Sequence, residues 1–223
     1  YSDIGAYLAG KIVERVSGQR LDRYLADHVF GPLGMDETMY NPPDSLRPRI
    51  APTEVDPRRG GKLRGRVHDE RAYYLGGISA HAGLFSSGAD LARFAEMYLD
   101  GGALGSVRLF RPQTVIAFTA LQDTTLSNRA IGWEKPNGTN SAGHLMSPSA
   151  FGHTGFTGTS IWIDPARDLF IVLLTNRVDP TRNNHKIGGV RIALADALGE
   201  AMGQGVAAVA AGTGSSSGGS RQQ

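Results

Sequence analysis

Gly152-His153-Thr154-Gly155-Phe156-Thr157-Gly158 runs directly into Thr159-Ser160-Ile161-Trp162-Ile163, and after Asp164-Pro165-Ala166-Arg167-Asp168 the chain resumes as Leu169-Phe170-Ile171-Val172-Leu173-Leu174. Two runs rich in β-branched and aromatic residues on either side of a Pro/Asp turn predict a hairpin. The glycines ahead of it mark a place where backbone and other groups approach closely.

Upstream, the period is helical. Ile4, Leu8, Ile12 and Val16 recur four apart with Val13 beside them, so residues 2–16 are expected to turn one stripe toward a core, and Ser17-Gly18 ends the helix. Leu21, Tyr24, Leu25 and Val29 repeat the pattern before Phe30-Gly31-Pro32-Leu33-Gly34 forces a turn. Residues 41–65 are rich in Pro, Gly and Arg and read as long irregular structure, uncommon inside a compact domain unless it serves a site or lies exposed. Ser87-Gly88-Ala89-Asp90 is a capping box whose serine oxygen and aspartate can satisfy the free amides of the helix carrying Leu91, Phe94, Ala95 and Tyr98, and Gly101-Gly102 stops that helix. Pro112 suits the first turn of a short helix to about Ala120. A last helix is expected from about Gly189 to Met202, carrying Val190, Ile192, Ala193 and Leu198. Beyond Gly203 the chain is Ala, Gly and Ser and is read as a disordered tail over 204–223. One domain over 1–203 accounts for the rest.

The 223 residues are 40% apolar and 20% charged, enough for a real core. Cysteine is absent, which excludes disulfides, thiolate metal sites and a cysteine nucleophile. The net charge is +2, with one dense basic run in Arg58, Arg59, Lys62, Arg64 and Arg66. Glycines interleave it and no aromatic accompanies it, so it reads as a solvated loop rather than a surface for nucleic acid or lipid. No apolar stretch approaches the roughly 20 residues of a membrane helix. Tyr1 enters a helical pattern with no leader-like segment before it, which reads as the start of a C-terminal fragment.

General motifs fail: there is no HExxH, no P-loop and no GxGxxG. Gly214-Ser215-Ser216-Ser217-Gly218 fits the nucleophile-elbow pattern G-x-S-x-G, but that motif needs a strand entering and a helix leaving, and this match lies in low-complexity sequence.

The text that remains is ordered. Tyr1-Ser2-Asp3-Ile4-Gly5 is followed by Ile12-Val13-Glu14-Arg15-Val16-Ser17-Gly18 and Phe30-Gly31-Pro32-Leu33-Gly34-Met35, then Gly76-Gly77, Ala82-Gly83-Leu84-Phe85-Ser86-Ser87, Asp90-Leu91 and Phe94. Gly152-His153-Thr154-Gly155-Phe156-Thr157-Gly158 and Leu174-Thr175-Asn176-Arg177 complete it. In this text the chain resembles the serine β-lactamase-like family, which includes class C β-lactamases, penicillin-binding proteins and related esterases. The resemblance runs from residue 1 to about residue 200.

The resemblance implies an α/β (α+β) fold of the β-lactamase/transpeptidase type. An antiparallel sheet is flanked by helices, a mostly helical region covers residues 1 to about 150, and the N-terminal part is missing. It implies a serine hydrolase that acts through an acyl-enzyme on small esters, amides or peptides, with no metal and no cofactor, and a periplasmic or secreted location. The family's Ser-x-x-Lys motif is absent: the residues three before Lys11, Lys62, Lys135 and Lys186 are Leu8, Arg59, Gly132 and Asn183. The nucleophile is therefore expected upstream of Tyr1.

Tyr1 matches the second motif, whose phenol accepts and returns the serine proton; with a pKa near 10 it needs a neighbouring cation for that task. Asp3 stands where better-known members carry asparagine. A carboxylate only accepts hydrogen bonds, so Asp3 is either an altered substrate contact or a first-turn acid favourable toward the helix dipole. His153-Thr154-Gly155 matches the third motif, usually Lys-Thr-Gly, with Gly155 admitting substrate close to the strand. The next residue, Phe156, supplies its N–H to the oxyanion. His153 makes attraction for a substrate carboxylate pH-dependent. His68-Asp69-Glu70 and His81 also match a subset of the family and read as loop-bracing residues rather than metal ligands. Esterase, peptidase and β-lactamase activities remain open on one fold, and so does a binding module that keeps the fold without catalysis.

Overall fold

A computed structural model describes residues 2–212. Its helical part opens with α1 (Asp3–Ser17), closed by Gly18, which takes the left-handed conformation and returns its N–H to Glu14 O. Helix α2 (Leu21–Leu25) continues through a π-turn at Ala26–Phe30 into the short α3 (Gly31–Leu33). Residues 41–65 hold little regular structure, as expected. Strand β1 (Met39–Tyr40) precedes a 3-10 turn at Asp44–Arg49, and β2 (Val55–Asp56) forms a small hairpin with β3 (Gly61–Lys62) around another at Pro57–Arg59. After α4 (Glu70–Tyr74), β4 (Leu84–Phe85) pairs back onto β1. Helix α5 (Gly88–Leu99), the hairpin of β5 (Ala103–Leu104) and β6 (Val107–Arg108), and α6 (Pro112–Thr119) lead to the main sheet.

That sheet is the expected hairpin with one more strand. β7 (Phe151–Thr154), β8 (Ser160–Asp164) and β9 (Leu169–Leu173) are antiparallel in the order β7-β8-β9, with His153 opposite Ile161 and Trp162 opposite Ile171. Alternation along β8 splits its side chains between two cores. Trp162 joins Ile171, Ala142, Met146 and Ala150 beneath α7 (Ile187–Gly212), through Ala195, Leu194 and Leu198. Ile161 and Ile163 face the other way, with Phe151 and Phe170, onto Ala95 and Leu99 of α5. The sheet thus lies between α5 and α7. Tyr98 joins the sheet core to the helical core of Phe30, Leu33, Met35 and Met97, and its ring lies 5.6 Å from that of Phe151.

Four sequence expectations change. The stripe Ile4, Leu8, Ile12 and Val16 does not face a core: these residues are 53–82% exposed, and α1 packs instead through Gly10, where an added Cβ would sit 2.8 Å from Ala80 Cβ. Periodicity located an apolar face but not the face that packs among the described residues. Asp90 is the second. Ser87 Oγ accepts the Asp90 N–H as a cap should, yet the Asp90 carboxylate turns away from the helix amides to Glu37 N and Thr38 Oγ1. Third, the basic run is not all solvated. Arg59 is buried, donating to Asp56, Val67 O and His68 O, because its planar fork can satisfy three acceptors at once. Fourth, α7 continues to Gly212, past the expected end at Met202; the remainder of the expected tail, 213–223, lies outside the described residues. No helix of the described residues is long and apolar enough to cross a membrane.

Candidate active site

Among the described residues β7 is an edge strand of the main sheet, bridged on its outer side only at Gly152, which exchanges backbone hydrogen bonds with Glu134. Past that bridge the chain leaves the sheet through Gly155 and turns at Phe156 and Thr157. A Cβ at Gly155 would meet Thr159 Oγ1, so the glycine leaves room for that side chain within the turn.

The turn is held by two arginines. Arg191, on α7, donates from Nη2 to Gly155 O at 2.9 Å and to Thr159 O at 2.6 Å. The Gly158 N–H also reaches Gly155 O, at 3.1 Å. Gly155 C=O and Phe156 N–H belong to one planar peptide, so fixing the carbonyl fixes the direction of the N–H. That N–H has no hydrogen-bond acceptor among the described residues. Arg177, just past β9, donates from Nε to Phe156 O at 2.7 Å, and its guanidinium carbon lies 4.2 Å from the Phe156 ring centre. Burial, with the charge of Arg177 adding to it, pushes the Arg191 guanidinium below the usual arginine range.

Thr154, Gly155 and Phe156 line a cavity of about 300 Å³ together with Arg177, His185, Ile187 and Arg191. Its lining holds two guanidinium groups and no carboxylate, which favours an anionic group of a ligand. The structure therefore brings together three of the residues selected from sequence. His153 and Asp3 do not line this cavity: His153 donates from Nδ1 to Thr154 O at 2.9 Å, and Asp3 sits in the first turn of α1. Tyr1 lies outside the described residues. Sequence reasoning gave no role to Arg177, His185 or Arg191. Arg177 ends a recognisable stretch and so left a signal; Arg191, inside a helical pattern, left none.

His68, Asp69 and His81 are engaged within the protein. His68 Nε2 donates to Glu54 Oε2 at 3.0 Å, and Glu54 also accepts from Arg182 N and Nε. The Arg182 hydrogen bonds hold the Glu54 carboxyl down at about 2. Asp69 caps α4 through Ala72 N and accepts from His81 Nε2 at 3.0 Å, while Ser79 Oγ lies 2.7 Å from His81 Nδ1. With Nε2 protonated, Nδ1 accepts the serine proton, a Ser–His–Asp series. Ser79 is 4% exposed, however, and the void beside it is about 10 Å³, room for about one water and not for an acyl group. This series ties α4 to the turn before β4. Among the described residues no group of three or more His, Asp or Glu is placed to hold a metal ion.

The beta-lactamase family model matches residues 1–195. The chain belongs to the beta-lactamase family. The chain is similar to a protein of Escherichia coli K12, provisionally named as a D-alanyl-D-alanine carboxypeptidase, 41% identical over 208 residues. A protein of the same provisional name in Salmonella schwarzengrund is 39% identical over 207 residues. The first match covers 82% of this chain and 47% of the relative, the second 84% and 47%, so the chain spans about half the length of these relatives. Among solved structures, a beta-lactamase from Mycobacterium bovis superposes with a TM-score of 0.62 at 24% identity, covering 91% of this chain and 64% of that one. A simvastatin synthase mutant from Aspergillus terreus superposes with a TM-score of 0.64 at 19% identity, covering 89% and 54%. These neighbours establish the β-lactamase/transpeptidase fold.

Proposed function

We propose that this chain is the substrate-binding and proton-transfer portion of a serine hydrolase that cleaves small esters or amides, D-amino-acid peptides among them, through an acyl-enzyme. The observation that carries the reading is the Phe156 N–H, free of any protein acceptor among the described residues, on a turn that lines a cavity with two guanidinium groups. An N–H held in advance toward a developing oxyanion is worth roughly a hundredfold to a thousandfold in rate.

In this proposal the nucleophilic serine and its lysine lie upstream of Tyr1 in the full-length protein. The serine oxygen bonds to the substrate carbonyl carbon as its proton passes to the Tyr1 phenolate. The carbonyl electrons move onto oxygen, which takes the Phe156 N–H. Collapse breaks the bond to the leaving alcohol or amine, to which Tyr1 returns the proton, and water then hydrolyses the ester to the serine. Thr154 and His153 meet the substrate along β7, and Asp3 approaches it from the head of α1. Arg177 and Arg191 favour a substrate that ends in a carboxylate, which suits peptides with a free terminus.

The test uses the full-length protein and the 223-residue chain with a chromogenic ester and a cephalosporin. The full-length protein should give a burst of acylation and the chain none. Tyr1→Phe in the full-length protein should slow acylation by roughly a hundredfold to ten-thousandfold, the range of general acid–base catalysis. An unchanged rate would overturn the mechanism. A full-length protein with no serine and lysine three apart at a helix start, and no burst, would instead be a binding module on this fold.

A further inference from the structure

Phe156 presents a physical problem that its own burial does not solve. The residue is 58% exposed, so the core does not hold it, yet the proposed mechanism needs its peptide in one place. Exposed turn residues sample several conformations unless neighbours restrain them. Arg177 and Arg191 restrain the backbone on either side. The side chain is met from a distant part of the sequence. The His68 ring lies nearly parallel to the Phe156 ring, with centres 5.7 Å apart and planes 24° apart.

His68 is itself rigidly placed. It is 7% exposed, its Nε2 donates to Glu54 Oε2, and its carbonyl accepts from Arg59 Nη2 at 2.9 Å. Glu54 in turn takes two hydrogen bonds from Arg182, whose other end reaches Glu70 at 2.7 Å. Arg182 O accepts from Arg177 Nη1 at 2.9 Å, so the arginine that holds the Phe156 carbonyl is tied to the same cluster. The irregular stretch of residues 41–65 thus supplies, in Glu54, the support for the ring that packs against the turn carrying the proposed oxyanion donor.

We propose that His68, supported by Glu54 and Arg182, is a positioning residue for acyl transfer: its buried ring fixes the Phe156 side chain and, through it, the direction of the Phe156 N–H. This role rests on the proposal that the Phe156 N–H serves the oxyanion. His68 does not line the cavity and acts only through Phe156. Small displacements of such a donor are costly, since about 1 Å of misplacement can cost on the order of a hundredfold in rate.

The contact is tested on the 223-residue chain by ¹⁵N relaxation. In the parent the Phe156 amide should show an order parameter of about 0.85, the value of rigid backbone, falling below about 0.6 in His68→Ala. His68→Phe, which keeps a flat ring and gives up the bond to Glu54, should restore it. Phe156→Leu removes the stack from the other side and should loosen the same amide, so the idea stays testable if His68→Ala does not fold. An order parameter unchanged in the folded His68→Ala or Phe156→Leu chain would overturn the proposal.

The catalytic consequence is read in the full-length protein. His68→Ala should lower kcat about tenfold, with KM within about twofold, and His68→Phe should recover most of the loss. A purely structural role would lower the amount of folded protein without this split or rescue. If the amide loosens while kcat holds, His68 has no role in acyl transfer, and the fault lies in assigning the oxyanion to Phe156 rather than in the contact.

Discussion

Asp90 Oδ2 accepts a hydrogen bond from Thr38 Oγ1 at 2.7 Å, across a separation of 52 residues, with both side chains buried. The same oxygen accepts the Glu37 N–H at 2.9 Å. A residue that looks local in sequence, the fourth of a helix-capping box, therefore anchors the loop before β1 onto α5.

Asp90→Ala should consequently cost more than loss of the cap. It leaves the half-buried Glu37 amide without this acceptor and strips the buried Thr38 hydroxyl of one partner, at up to about 1–3 kcal/mol for each group left unsatisfied. Ser87→Ala removes the cap, worth about 0.5–2 kcal/mol, and a hydrogen bond to the exposed Glu37 carboxylate. Urea midpoints at unchanged slope would rank the two variants. The reverse order would mean that Asp90 serves the helix start after all.

Gly152→Ala should be among the most destabilising single changes in the sheet. An added Cβ at this position would overlap both the Trp162 ring and the Ile161 carbonyl oxygen. The backbone oxygen cannot swing aside, so β7 must separate from β8 or Trp162 must leave its pocket against Ile171 and Ala195. Overpacking of this kind costs about 1–3 kcal/mol. Gly5→Ala is the control, because nothing lies within 4 Å of its added Cβ. Equal thermal midpoints for the two variants would contradict the packing of β7 on β8.

What the sequence showed and what it hid follow from how local each signal is. The β8–β9 hairpin, α5 with its Ser87 cap, and α6 with Pro112 in its first turn were readable because period, turn residues and caps lie within a few positions of one another. Thr154, Gly155 and Phe156 were selected together by the resemblance to the family's third motif. Which face of α1 packs was not readable, since Gly10 against Ala80 leaves no apolar periodicity to detect. Nor was the junction of Glu54 with Arg182, 128 residues apart, or the meeting of His68 with Phe156. Such contacts exist only once the chain has folded, and residues 41–65 gave only the hint that so long an irregular stretch must serve something.

The Glu54–Arg182 junction also makes a pH prediction. The Arg182 hydrogen bonds hold the Glu54 carboxyl at about 2 in the folded chain, against an ordinary value of 4.5. A depressed folded value means that the folded state favours the carboxylate more than the unfolded state does. Its contribution is therefore complete above about pH 4.5 and is lost as pH falls toward about 2. Glu54→Gln removes that charge, so the stability gap between parent and variant should narrow over this window and stay constant at neutral pH. Urea unfolding at a series of pH values measures it. A gap that widens as the solution is acidified would show that the carboxylate is not what Arg182 stabilises.

Asp3→Asn separates the two roles that the head of α1 allows. Asp3 lies in the first turn of α1, whose N-cap residue Ser2 makes no side-chain capping bond, so the Asp3 charge is well placed to interact with the helix dipole. If that is its role, the neutral amide should lower stability by about 0.3–1 kcal/mol and leave reaction rates alone. If Asp3 instead meets substrate, the change replaces a group that can only accept by one that can donate to a substrate carbonyl. The full-length variant should then hydrolyse simple esters at the parent rate and be acylated faster by a cephalosporin. The two outcomes are measured independently, one by denaturant midpoint and one by acylation rate. A cephalosporin rate that does not rise in Asp3→Asn would assign Asp3 to the helix dipole, and a rise at unchanged stability would assign it to substrate contact.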